Sequence, residues 1–280
     1  MTERKVAVVS AFTKDGAGGN LAGVVLDAGG IGVEARQALA AKLGFAETVF
    51  VEALGPASFK LRYFTPTVEG DLCGHATIAT FGHMLAQKRA EPGRVTIETR
   101  VGELAVELRA DGLVFMDQPL PVFGAELEPG PVSAVLGGAK VLDARLVSTG
   151  LFDLLAELET HEALLALKPD LPAIAKMTAA HGASSLHAFV RAQGGVTAYC
   201  RDFAPAVGID EDTATGTASG ALSCHLFDRG DARTELRFIQ GETVGPGSEI
   251  LARLDVEGKT IKRVRVGGRA RLERWADGGV

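Results

Sequence analysis

The chain has 280 residues, with 29 Lys+Arg against 35 Asp+Glu and a net charge of −6. At 46% hydrophobic and 23% charged it is able to bury a sizeable core. Its mild acidity argues against a nucleic-acid-binding protein, and three cysteines are too few for a disulfide framework. The longest run without Asp, Glu, Lys or Arg, Leu72–Gln87, has 16 residues, fewer than the roughly 20 apolar residues of a spanning helix. The start, Met1-Thr-Glu-Arg-Lys-Val6, mixes both signs of charge and leads into too short an apolar run for an export signal. These features predict a soluble cytoplasmic protein with reduced thiols and no membrane or nucleic-acid partner.

In chain order, Val6–Phe12 has the pattern of a strand, Gly16-Ala-Gly-Gly-Asn20 that of a loop, and Ala22–Leu26 that of a second strand. Val33–Leu43 is rich in helix formers and stops at Gly44, a C′ glycine. Thr48–Val51 and Ser58–Phe64 suggest strands, Gly74–Ala86 a helix, and Arg94–Glu98, Glu103–Arg109 and Leu113–Met116 further strands. The density of Pro and Gly between Gln118 and Pro131 suggests a linker. Beyond it, strands are predicted at Val141–Val147, Leu186–Arg191, Val196–Arg201, Glu235–Ile239 and Ile250–Leu254, with helices at Pro172–Ala180 and Gly216–Phe227 and β-type alternation in Ile261–Leu272.

The two halves share a pattern. Tyr63-Phe-Thr-Pro66 precedes Cys73-Gly-His-Ala-Thr77, and Asp202-Phe-Ala-Pro205 precedes Thr213-Ala-Thr-Gly-Thr217. Each second motif falls at or near the start of an uncharged run, Leu72–Gln87 or Thr213–Phe227. A helix without charge on any face is normally buried, so each half is expected to wrap strands around one central helix. The expected domains are residues 1–120 and 128–280, with the last strand able to cross to the first domain.

A helix start leaves backbone N–H groups unpaired and carries partial positive charge, which suits an anion. Gly74 and Gly216 allow close approach to that backbone. If the halves close on each other, a small carboxylate is held from both sides, near Cys73 and His75 of one half and Asp212, Thr213 and Thr217 of the other. Taken singly, each motif is equally an ordinary capped helix with an incidental Cys or His; their pairing favours a site. Glu47 breaks another pattern, because strand alternation puts it on the face of Phe45, Val49 and Val51. A carboxyl there is expected to be partly desolvated, with a raised pKa fit for acid/base work, although the bland reading is a surface residue at a loop-to-strand junction. Gly30-Ile-Gly32 with Glu52 imitates a dinucleotide fingerprint, but strand follows strand afterwards. Cys73-x-His75 lacks the further ligands of a metal site.

Gly19-Asn20-Leu-Ala22, Glu47-Thr48-Val-Phe-Val51, Tyr63-Phe-Thr-Pro66, Asp71-Leu-Cys-Gly-His-Ala-Thr77 and Glu211-Asp-Thr-Ala-Thr-Gly-Thr-Ala218 together resemble the PhzF family of the diaminopimelate epimerase-like superfamily. The resemblance spans nearly the whole chain. It implies an α+β fold of two similar domains, each a curved mixed sheet or barrel around a central helix. It also implies a substrate cleft between the domains, a homodimer, and neither cofactor nor metal. By resemblance, Glu47 is the acid/base residue, with His75 and Asp212 beside it as catalytic residues, and Asn20, Cys73, Gly74, Gly216 and Thr217 bind the substrate. The chain departs from the family's usual pattern at Leu21, Ala46, Thr213 and Thr217. Racemases of the superfamily set one cysteine on each face of the substrate carbon; here Cys73 has Thr213 opposite it in the repeat, and a hydroxyl is a far weaker acid and base than a thiol of pKa about 8.5. The expected activity is therefore a cofactor-independent isomerase moving a proton between carbons of a small carboxylate. A racemase-like or hydroxyproline-dehydratase-like enzyme with Cys73 as base, and a non-catalytic carboxylate binder, stay open.

Overall fold

The computed structural model describes residues 5–279, so the charged start at Met1–Arg4 lies outside the described residues. In chain order the strands and helices of the first part are β1 (Lys5–Ala11), β2 (Asn20–Val25), α1 (Val33–Leu43), β3 (Thr48–Gly55), β4 (Ser58–Phe64), β5 (Glu69–Gly70), α2 (Gly74–Ala86), β6 (Gly93–Thr99), β7 (Gly102–Leu108) and β8 (Val114–Gln118). Then come β9 (Val122–Glu126), α3 (Pro129–Val135), β10 (Val141–Ser148), β11 (Phe152–Leu158), α4 (His161–Leu165), α5 (Leu171–Ala180), β12 (Ala183–Arg191) and β13 (Ala198–Ala204). The chain ends with β14 (Ile209–Asp212), α6 (Gly216–Asp228), β15 (Glu235–Gln240), β16 (Ser248–Glu257), β17 (Thr260–Gly268) and β18 (Ala270–Asp277). It divides into two compact units, one running up to Asp117 and resuming from Gly267, the other spanning Gln118–Val266.

In the first unit β18 pairs antiparallel with β1, and β1 with β2. β2 runs parallel to β3, β3 antiparallel to β4, β4 parallel to β6, and β6 antiparallel to β7. The short β5 adds to β4. The second unit repeats this scheme: β9 on β10, then β10–β11 antiparallel, β11–β12 parallel, β12–β13 antiparallel, β13–β15 parallel and β15–β16 antiparallel, with β14 added to β13. The fold is thus α+β, with the same mixed strand order in each unit.

Each unit is organised by its uncharged helix. α2 packs against β1, β2, β3, β7 and β18, and every residue from Ala76 to Met84 is buried. α6 packs against β10, β11 and β16, and Ala218 to Leu226 are buried likewise. Small residues let these helices approach the strands: a Cβ on Gly82 would stand 2.6 Å from Ala270 Cβ, and one on Gly220 would stand 2.8 Å from Thr149 Oγ1. Side chains such as Phe81 and Leu222 are fully buried, each contributing about 1.5–3 kcal/mol. The outer face of the first unit is covered by α1, whose Leu39 and Ala40 pack with Val6, Phe50 and Phe64. In the second unit α3 and α5 cover Leu146, Leu154, Leu186 and Ala188.

Two local readings change. Gln118–Pro131 does not form a bare linker, because Val122–Glu126 is a strand paired with β10. Of its four prolines, Pro119 and Pro121 sit in the turn between β8 and β9, and Pro129 and Pro131 in the first turn of α3, where a missing N–H costs nothing; Gly124 lets Leu146 approach to a distance where a Cβ would stand 2.9 Å from Leu146 Cβ. The segment Ile261–Leu272 is two strands, β17 and β18. The turn that imitates a dinucleotide fingerprint is closed by Arg36, which donates to the Ile31 and Ala28 carbonyls and pairs with Glu52 at 2.5 Å.

Candidate active site

Glu47 immediately precedes β3, where its carbonyl accepts a hydrogen bond from the Gly23 N–H of the parallel neighbour β2 at 3.0 Å. Alternation puts its side chain on the face that carries Val49 and Val51, both buried. Its Oε1 is buried without a hydrogen-bond partner among the described residues. Burial pushes the Glu47 pKa up to about 7. Gly70 of β5 lies beside this carboxyl: a Cβ there would stand 3.6 Å from Oε1, an ordinary contact. An Arg62–Glu69 ion pair between β4 and β5 holds that strand in place.

Cys73 occupies the extended N-cap position of α2, and its side chain does not cap the helix. Its Sγ lies 3.2 Å from His75 Nδ1. Burial pushes the His75 pKa down to about 4, against a bond to the backbone of Leu21 that favours its charged form. The imidazole is therefore neutral near pH 7 and reaches β2 next to Asn20, its first residue. Beneath them, the buried Tyr63 hydroxyl bonds Thr77 Oγ1 at 2.8 Å, and Thr77 donates to the Cys73 carbonyl at 2.8 Å. Since Thr77 spends its one proton on that carbonyl, Tyr63 must be the donor to Thr77. Tyr63 also feels both Cys73 and Glu47, which places these two groups around one phenol. At Gly74 a Cβ would meet nothing within 4 Å, so the first turn of α2 is open on that side.

In the second unit Asp212 closes β14 and Thr215 is the N-cap residue of α6. Thr215 Oγ1 donates to Asp212 Oδ2 at 2.6 Å. Gln240, fully buried, accepts from the Thr215 N–H through Oε1 at 3.2 Å and donates from Nε2 to the Asp212 carbonyl and to Thr215 Oγ1, both at 2.9 Å. Gly241 follows with φ +84°, and a Cβ there would stand 2.7 Å from the Thr213 carbonyl oxygen, so only glycine fits. Burial, reinforced by the charge of Asp202, pushes the Asp212 pKa up to about 6 against the Thr215 hydroxyl and the backbone N–H groups of Ala214 and Thr213. Gly216 and Thr217 supply the first-turn N–H groups of α6, which have no acceptor within the helix.

The strand registers relate the two sites. Thr48 pairs with Phe64 and Leu186 with Phe203. With Phe64 and Phe203 equivalent in the repeat, Ser185 stands where Glu47 does and Asp202 where Tyr63 does. Tyr63 pairs with Gly70, and Asp202 with Asp212. One unit thus presents its carboxyl from the residue before β3, beside a glycine in β5, and the other from β14, on the face of a serine in β12. Sequence reasoning named Glu47, Asn20, Cys73, Gly74 and His75, which the first unit gathers at β2, β3 and α2. It also named Asp212, Gly216 and Thr217, which the second unit gathers at the α6 start. Gln240-Gly-Glu242 fits the family resemblance, but sequence reasoning gave Gln240 no role and missed it as the clamp on that start.

Among the described residues no group of three or more His, Cys, Asp or Glu is arranged to hold a metal ion. None of the described helices is long and apolar enough to cross a membrane.

Each unit thus holds a carboxyl whose pKa burial has raised, Glu47 in one and Asp212 in the other, and comparison with known proteins identifies the family. The description "Phenazine biosynthesis-like protein" (PhzC-PhzF) matches residues 9–274, and the chain belongs to this family. An "Uncharacterized isomerase" of Deinococcus radiodurans is 40% identical over 96% of this chain and 93% of its own. The trans-2,3-dihydro-3-hydroxyanthranilate isomerase of Pseudomonas aeruginosa is 29% identical over 94% of this chain and 95% of its own. The crystal structure of a PhzF-family phenazine biosynthesis protein from Bacillus anthracis superposes with a TM-score of 0.89 at 27% identity, covering all of both chains. These relationships place the chain among the isomerases.

Proposed function

We propose that this chain is a cofactor-independent isomerase that moves a proton between carbons of a small carboxylate. The observation that carries this reading is the Glu47 carboxyl, with its buried, unpartnered Oε1 and a pKa raised to about 7. Such a group exchanges a proton near neutral pH in either direction. As carboxylate, Glu47 takes a proton from a carbon whose anion is delocalised over an adjacent double bond. As acid, it returns the proton at the far end of that system, so the double bond shifts and no net proton is gained or lost. Neutral His75 and Asp212 orient polar groups of the substrate or assist the transfer. Gly74 at the first turn of α2, with Asn20 and Cys73 near it, offers substrate contacts in the first unit, and Gly216 and Thr217 at the first turn of α6 offer them in the second. The name of the Pseudomonas aeruginosa relative makes an unsaturated cyclic carboxylate the first substrate class to try.

The Cys73–His75 contact at 3.2 Å favours a second reading, in which Cys73 is the base and its proton passes to the imidazole. Incorporation of solvent deuterium into substrate, measured for wild type, Glu47→Gln and Cys73→Ala, separates the readings. Loss in Glu47→Gln by about a hundredfold or more with retention in Cys73→Ala supports Glu47. The reverse pattern supports Cys73, and a protein that binds a carboxylate without exchanging any hydrogen is a binder.

A further inference from the structure

The Asp202 side chain is buried behind the α6 start and takes no part in the reaction described above. Register places His187, Asp202 and Asp212 opposite one another on three adjacent strands, β12, β13 and β14, so their side chains share one face. Ser185 lies on the same face of β12, opposite Asp153 of β11. Asp153, Ser185, His187 and Asp202 are at most 2% exposed. His187 Nδ1 is 2.9 Å from Asp202 Oδ1. Ser185 Oγ is 2.7 Å from Asp202 Oδ1 and 3.0 Å from Asp153 Oδ1, and Ser184 Oγ reaches the latter at 2.7 Å.

The proton count follows from these distances. A serine hydroxyl carries one proton, and an ionised carboxylate carries none to give. Ser184 Oγ also lies 3.0 Å from the Phe152 carbonyl, so the two serines bring two protons to four contacts with acceptor oxygens, and one of the acids must supply a proton. Asp153 is that acid: burial and the Asp202 charge push its pKa up to about 7, and its Oδ2 is buried without a partner among the described residues. The Asp202 charge, which both Asp153 and Asp212 feel, faces the His187 imidazole at 2.9 Å. Burial lowers the charge on His187, but the Cys200 thiol and Asp202 beside it outweigh this and raise its pKa.

We propose that Asp202, held ionised by His187 and by the Ser185 hydroxyl shared with protonated Asp153, is a positioning residue that sets the protonation state of Asp212. The inference rests on Asp212 taking part in the reaction only for its consequence; the coupling itself is a property of the free protein. The groups facing Asp202 are His187 and Ser185 from β12, Asp153 from β11, Cys200 on its own strand and Asp212 from β14. The groups facing Asp212 are Asp202, the Thr215 hydroxyl with the uncharged first turn of α6, and Gln240 from β15. The Arg201–Glu211 pair stands on the alternate positions of β13 and β14 and so on their other face.

The test is the titration of the aspartate carboxyl carbons by isotope-edited NMR in the full chain without substrate. In Asp202→Asn, with one negative charge removed, the Asp212 midpoint is expected to fall by about one unit. In Asp153→Asn, which replaces a protonated acid by a neutral amide of the same shape, it is expected to stay in place. No shift in Asp202→Asn, or equal shifts in both variants, overturns the proposal. Asp202→Ser, which keeps an acceptor for His187, carries the same test should the asparagine variant not fold. Wild type carries it without substitution: the Asp202 carbon is expected to report the Asp212 midpoint, because each acid feels the other's charge, and independent titrations overturn the coupling. Because no turnover enters these readouts, their failure is distinct from failure of the isomerase reading, which the deuterium experiment decides.

Discussion

Glu47 departs from an ordinary surface carboxylate because its buried oxygen has no donor to replace water. The folded protein therefore favours its protonated form. With a folded pKa of about 7 above an unfolded value of about 4.3, its stabilising contribution is complete below the unfolded value. That contribution is lost as pH rises through the folded one. Glu47→Gln removes the penalty, so the variant is expected to match wild type near pH 4 and to exceed it by pH 8. The gain is on the order of 2 kcal/mol after discounting for partial exposure, and denaturant unfolding across that pH range checks it. The same residue shows how far the sequence carries: alternation of Phe45, Val49 and Val51 was enough to place the carboxyl on a buried face. Its neighbour across the sheet, Gly70, comes from a strand pairing that no local pattern encodes.

Helices α2 and α6 were legible because an uncharged run on every face admits only burial, and Gly74–Ala86 forms with the bounds its sequence predicts. β9 was not legible, since four prolines and two glycines around it outweigh a strand of five residues whose stability comes from pairing with β10. The short β5 and β14 were equally hidden, yet they position Gly70 and Asp212. At this scale the glycines of α2 divide by what surrounds them. Gly82→Ala drives a methyl to 2.6 Å from Ala270 Cβ, an overpacking that costs about 1–3 kcal/mol, visible as a lowered melting temperature. Gly74→Ala meets nothing within 4 Å, so stability is expected to hold within about 0.5 kcal/mol while the substrate KM rises. A second strand-end residue, Gln240, holds the start of α6 through three hydrogen bonds. Gln240→Leu leaves the half-buried Thr215 N–H and Asp212 carbonyl without that partner, at up to about 1–3 kcal/mol for each group left unsatisfied. It is expected both to lower the melting temperature and to weaken carboxylate binding.

Across the whole molecule, one strand scheme is used twice and filled differently. In one unit the acid is Glu47, over Tyr63 and Gly70; in the other it is Asp212, over Asp202 and Ser185. Inversion at one carbon asks for two matched bases, and the position of Thr213 in the repeat lacks a thiol to match Cys73. The internal repeat of Tyr63-Phe-Thr-Pro66 and Asp202-Phe-Ala-Pro205 announced the duplication, but the exchange of acid between strands emerges only from register.

The most direct measurement is the rate of solvent deuterium incorporation into an unsaturated cyclic carboxylate, followed by NMR from pH 5 to pH 9. The account predicts exchange in wild type that rises with pH through about 7 as Glu47 ionises, survives Cys73→Ala, and disappears in Glu47→Gln. Exchange that persists in Glu47→Gln and disappears in Cys73→Ala would contradict it.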